Sequence, residues 1–158
     1  MQSRKSILIP SGLSLRRPGL NGIIAGAIGQ SPLPKSMILR TGVDLIEISR
    51  IEEVIARHGK RYLERIYTPA ELEQCGKSNE SLAGRFAAKE AVAKALGTGI
   101  GDATWKDIEI LGDEQHAPTL TLYGAADQRA KELGLQSWSV SISHSMSHAI
   151  AVAVAIGA

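Results

Sequence analysis

The spacing of apolar and polar positions divides the chain into short elements of alternating type. Ile38 to Asp44 reads as a strand whose apolar run closes on a carboxylate. From about Ser49 the period changes to that of a helix, with Ile48, Ile51, Val54 and Ile55 in one stripe. Gly59 breaks that helix, and a shorter helical piece carries Tyr62, Leu63 and Ile66. Thr68-Pro69-Ala70-Glu71 has the pattern of a capping box with proline at the first helical position, opening a helix that ends near Gly76. The longest helix is predicted from about Asn79 to Leu96, stopping at Gly97. Leu82, Phe86, Ala93 and Leu96 share one of its faces, and Glu90 lies at the edge of that face. Ala87, Ala88, Ala91 and Ala95 form the opposite side, small enough to let another backbone approach closely.

Strands dominate the remainder. Trp105 to Leu111 and Thr119 to Tyr123 read as a hairpin around a turn at residues 112–118. Ala125 to Leu133 reads as a helix ended by Gly134. Trp138 to Ser143 and Ala149 to Ile156 alternate, and form a final antiparallel pair joined through residues 145–148. Strand pairs interleaved with helices predict an α+β domain, an antiparallel sheet with helices packed against it. Neither an internal repeat nor a second domain is expected.

Composition narrows the class. The chain has 158 residues and 44% hydrophobic content, enough for one domain with a real core. Aromatics are 4%, so core contacts must use aliphatic and small side chains. The single cysteine, Cys75, excludes an intrachain disulfide and a cysteine-based zinc site, and fits a reducing, cytoplasmic setting. The net charge of +2 is unevenly distributed. Residues 1–36 carry Arg4, Lys5, Arg16, Arg17 and Lys35 with no acidic residue, so the remainder is net acidic. A uniformly basic nucleic-acid binder is therefore not indicated. That leader also holds four of the six prolines, and its apolar stretch, Leu20 to Ile28, is too short and glycine-rich to span a bilayer. The expectation is a disordered extension, or sequence upstream of a start at Met37, followed by one domain over 37–158.

Two carboxylates carry the candidate chemistry. Asp44 closes a strand, and Glu90 sits in a helix otherwise built of small and apolar residues. Carboxylates are costly to bury unpaired. Such a pair suggests a hard-cation site, since Mg²⁺ commonly binds through one or two carboxylates with waters and substrate phosphates. Lys94, one turn after Glu90, is either an i,i+4 partner of that carboxylate or a phosphate contact. The Gly97-Thr98-Gly99-Ile100-Gly101 run follows a helix C-terminus, which repels anions, so it is not a P-loop. Ser143 and His144 are strand neighbours on opposite faces, poorly placed as nucleophile and base, and the chain has no G-x-S-x-G elbow.

The segments GVDLIEISRIEEV, YTPAELEQC, LAGRFAAKEAVAKALGTGIG and SVSISHSMSHAIAVAVA, in that order, resemble the small phosphopantetheinyl transferases of the holo-acyl-carrier-protein synthase type. The resemblance runs from about Met37 to the C-terminus. It implies transfer of 4′-phosphopantetheine from coenzyme A to a serine of apo acyl carrier protein in fatty-acid biosynthesis, releasing adenosine 3′,5′-bisphosphate. It further implies Asp44 and Glu90 as Mg²⁺ ligands, and Glu90 or a metal-bound water as the base. Lys94 is implied at the leaving phosphate, with Arg85, Lys89, Gly99, Ser143 and His144 around coenzyme A. The helix carrying Arg50 and Arg57 is implied to dock the acidic carrier, in a cytoplasmic homotrimer with sites between subunits. No nucleic acid or membrane is implied as a partner. The alternatives are a non-catalytic coenzyme A or nucleotide module, a structural or interaction protein with solvated charges, and a transferase of broader carrier range.

Overall fold

A computed structural model of the chain describes residues 37–99 and 104–158. The expectations for 1–36, and for Ile100 and Gly101 of the glycine-rich run, lie outside the described residues.

Five strands and four α-helices make up this part of the chain, three of the helices in succession after the first strand. Strand β1 spans Ile38–Glu47 and runs directly into helix α1, Ile48–Ile66. Gly59 does interrupt α1. Its φ of 53° and ψ of −135° are not helical, and the helical pieces on either side run on through it as a kink. Helix α2, Pro69–Cys75, starts with the anticipated capping box: Thr68 accepts from the Glu71 amide, and the Glu71 carboxylate accepts from the Thr68 amide. Helix α3 spans Asn79–Leu96 and ends on Gly97 in the left-handed conformation, with φ 74°. The strand anticipated from Trp105 begins instead with a 3₁₀ turn over Trp105–Asp107, and strand β2 follows at Ile108–Gly112. Strand β3 is Pro118–Leu122, helix α4 is Gly124–Glu132, and strands β4 (Leu135–His144) and β5 (His148–Gly157) complete the order.

The strands form two antiparallel sheets. One has the order β1-β5-β4, and β2 and β3 pair separately as a hairpin. In the larger sheet Asp44 is opposite Ala151 and His144 is opposite Ala149. The alternation in β5 sends Ala149, Ala151, Ala153 and Ala155 to one face, where they are buried in the core with Ala87, Ala88, Ala91 and Ala95 of α3. Small side chains on both elements bring helix and sheet close together. At Gly42 of β1 an added Cβ would lie 1.9 Å from the Ala91 carbonyl oxygen. The Arg40 Nε donates to the Ala95 carbonyl at 2.9 Å and ties the same two elements. Helix α3 is the hub: it has buried residues all round and underlies the whole larger sheet. The opposite face of that sheet remains exposed and apolar, with Leu39, Val43, Leu45, Ile150, Val152 and Ile156.

Candidate functional site

Asp44 and Glu90 come together across the β1–α3 packing. Both line a cleft of about 460 Å³ with Arg50, Ile51, Val54, Tyr62, Phe86 and Trp105. Strand alternation delivers Asp44 to it, two residues beyond the glycine that lets β1 sit against α3. Its side chain is 16% exposed and pairs with Lys94 at 2.8 Å, while Lys94 also donates to the Val43 carbonyl at 2.8 Å. Lys94 is therefore tied to the Asp44 strand end, and not to Glu90 as an i,i+4 pair would be. Glu90 makes no ion pair among the described residues. Burial raises its carboxyl above the usual range, the Asp44 charge raises it further, and Lys94 offsets part of the effect. Two carboxylates in one half-buried cleft, one of them without a cation, make a donor set that suits a hard divalent ion.

A separate cleft of about 320 Å³ holds Arg85 and His144. Gln74, Gly84, Gly112, His116 and Ile142 also line it. Ile142 and His144 share this face of β4, with Ile142 over Gly84, where an added Cβ would stand 2.9 Å from its Cγ2. Ser143 alternates to the other face and does not line this cleft. The Arg85 Nε donates to the Ile110 carbonyl at 2.9 Å, and Gln74 accepts a second bond at 3.3 Å.

Lys89 does not belong to either cleft. The expectation that it meets a phosphate is corrected by its burial: its side chain is 0% exposed and pairs at 2.8 Å with Glu71, which is equally buried. Burial pulls the lysine below its ordinary pKa, and Glu71 restores part of the difference. Gly99 is likewise apart from both. It is exposed with φ 57°, and the neighbouring Gly97 and Thr98 line a third groove with Ala125 and Arg129 of α4. Arg50 borders the Asp44–Glu90 cleft, while Arg57 is exposed farther along α1. On either side of the Gly59 kink, His58, Arg61, Tyr62 and Arg65 line a further basic groove, with Tyr62 common to it and the carboxylate cleft.

Sequence reasoning missed the aromatic wall. The Trp105 and Phe86 rings stack at 4.8 Å with an interplanar angle of 30°, beside Glu90. Two large aromatics in a chain with so few were the available signal.

Residues 40–153 match the 4'-phosphopantetheinyl transferase superfamily. A holo-[acyl-carrier-protein] synthase of Herpetosiphon aurantiacus is 51% identical over 115 residues, covering 68% of this chain and 91% of that protein. One from Moorella thermoacetica is 49% identical over 110 residues, covering 68% and 85%. Among solved structures, the Helicobacter pylori holo-[acyl-carrier-protein] synthase in complex with coenzyme A superposes with a TM-score of 0.67 at 40% identity, covering 73% of this chain and 98% of that one.

Proposed function

The chain belongs to the 4'-phosphopantetheinyl transferase superfamily, and from that premise we propose that it is a holo-acyl-carrier-protein synthase acting through the Asp44–Glu90 cleft. It transfers 4′-phosphopantetheine from coenzyme A to a serine hydroxyl of apo acyl carrier protein. The serine oxygen forms a bond to the β-phosphorus of the pyrophosphate. The bond from that phosphorus to the bridging oxygen breaks, and adenosine 3′,5′-bisphosphate leaves with the electron pair. The observation that carries this reading is the convergence of Asp44 and Glu90 in one cleft, with Glu90 raised by burial and by its neighbour's charge.

Asp44 and Glu90 would hold Mg²⁺, which supplies charge neutralisation at the pyrophosphate when bound. Glu90 accepts the serine proton, directly or through a water. Lys94, half-exposed and beside Asp44, is placed to exchange its carbonyl contact for a phosphate oxygen. Arg85 and His144 bind the nucleotide phosphates. Arg50, at the mouth of the cleft, meets the acidic carrier, and Arg57 extends that surface along α1.

The two clefts are separate within one chain, which favours a homotrimer in which coenzyme A spans a subunit boundary. Arg85 and His144 of one protomer hold the nucleotide, while the pyrophosphate reaches the cation that Asp44 and Glu90 of a neighbouring protomer would hold. The exposed apolar face of the larger sheet, with Leu39, Val43, Leu45, Ile150, Val152 and Ile156, supports such assembly. The alanines of β5, by contrast, are already buried in the core with α3. No helix among the described residues is long and apolar enough to cross a membrane. We place the enzyme in the cytoplasm, serving fatty-acid synthesis.

The test is incubation with coenzyme A, Mg²⁺ and an apo fatty-acid carrier protein, followed by intact mass. The carrier gains one phosphopantetheine. Asp44→Ala and Glu90→Ala each abolish the gain while the fold persists. Activity within a few-fold of the parent for both variants at saturating Mg²⁺ removes the proposed site. Coenzyme A binding without transfer points to a non-catalytic module, and equal use of polyketide and peptide-synthase carriers points to a broader range.

A further inference from the structure

Helix α3 sends consecutive residues, Glu90 and Lys89, to different ends. Glu90 enters the cleft. Lys89 is wholly enclosed, and its three donors are all used. Its Nζ pairs with Glu71 Oε2 at 2.8 Å, donates to the Trp105 carbonyl at 2.9 Å and donates to the Ile108 carbonyl. Glu71 is as fully engaged: Oε1 accepts from the Ile110 amide at 2.9 Å, and Oε2 from the Thr68 amide at 2.8 Å. Both residues therefore grip the 105–110 segment. That segment opens a hairpin that, among the described residues, pairs with no strand of the larger sheet. Its first residue is Trp105, stacked on Phe86 in the wall of the carboxylate cleft. Dispersion and burial alone would hold such a segment without a charge. An apolar pair of similar volume is often as stable as a buried ion pair. The ion pair adds direction, because hydrogen bonds to named carbonyls set the turn at one height along α3.

We infer that the Glu71–Lys89 pair is a positioning device for phosphopantetheine transfer, fixing the Phe86–Trp105 wall relative to Glu90 so that the acceptor hydroxyl meets both carboxylates in register. The inference rests on the transferase reading. Lys89 touches no substrate. It acts through Trp105, so its loss affects turnover and carrier use more than the nucleotide end, where Arg85 meets only the far end of the segment at Ile110.

The experiment uses the full chain with Glu71→Gln and Lys89→Met combined, which leaves no unpaired buried charge. It is run in a Trp138→Phe background, so that emission reports Trp105 alone. A red-shifted Trp105 emission is expected, with kcat for carrier modification down about ten-fold or more and KM for coenzyme A within about two-fold. Trp105→Leu alone should lower kcat similarly, and adding it to the double variant should cost little more, because both changes disable the same wall. If the double variant does not fold, Lys89→Arg carries the same expectations, because it keeps the charge opposite Glu71 but its planar guanidinium cannot reproduce the ammonium's three bonds to Glu71, Trp105 and Ile108. Unchanged emission and kcat in a folded variant, or effects that simply add to those of Trp105→Leu, overturn the inference. If the parent protein itself transfers nothing, the transferase reading fails, while the emission shift still reports whether the pair positions the wall.

Discussion

Replacing Gly42 with alanine tests whether the closeness of β1 and α3 makes the site. Gly42 is buried in β1, opposite Ala153 and two residues before Asp44. Its added Cβ would stand 1.9 Å from the Ala91 carbonyl oxygen, 2.8 Å from the Ala95 amide nitrogen and 2.9 Å from the Ala91 carbonyl carbon. All three are backbone atoms of α3, so no rotamer change relieves the clash. Restoring an ordinary contact of 3.4 Å to the carbonyl oxygen requires the strand or the helix to move by about 1.5 Å. Overpacking in a closed core costs about 1–3 kcal/mol, and a backbone collision belongs at or above the upper end. With about 4 °C lost per kcal/mol for a domain of this size, the unfolding midpoint should fall by roughly 10 °C or more. The same movement carries Asp44 away from Glu90 and strains the Lys94 contacts with Asp44 and Val43. A misplacement of about 1 Å in a catalytic group can cost about 100-fold. Thermal unfolding by circular dichroism and carrier modification by intact mass read the two effects. A Gly42→Ala protein melting within about 2 °C of the parent and turning over at half its rate or better would refute the packing argument.

Glu90→Gln abolishes transfer yet stabilises the metal-free protein at neutral pH. The raised Glu90 pKa means that the native state holds this proton more tightly than the unfolded chain, so parent stability declines as pH rises from the ordinary glutamate value through the raised one. The glutamine variant lacks that decline; equal melting of the two proteins from pH 4 to pH 8 would contradict it. Arg50→Glu raises KM for carrier protein and flattens its salt dependence with KM for coenzyme A little changed; equal damage to both substrates assigns Arg50 to the nucleotide or the fold instead. A chain starting at Met37 keeps its melting temperature and turnover, measured side by side with the full chain; loss of folded protein would show that residues 1–36 belong to the domain.

Much of the fold was legible because it is written in short-range chemistry. The Thr68–Glu71 capping box, the helix from Asn79 to the left-handed Gly97, and the alternation of β5 each depend on residues within a few positions of one another. The alanines of α3 announced a close neighbour, and Gly42 of β1 is that neighbour. Asp44 and Glu90 were legible as a pair because a carboxylate ending an apolar strand and another in a helix of small residues are each costly without a purpose. What tertiary structure decided is the fate of the long cations. Spacing puts Arg85 and Lys89 on one face of α3, as two solvated charges awaiting phosphates would be. The β2 strand covers that face and offers the Ile110 carbonyl to Arg85 and the Ile108 carbonyl to Lys89, while Glu71 arrives from α2. Lys94 meets Asp44 from β1 at 2.8 Å in place of Glu90 on its own helix. A flexible four-carbon stem reaches whatever element packs alongside, and the period of the sequence carries no record of which element that is.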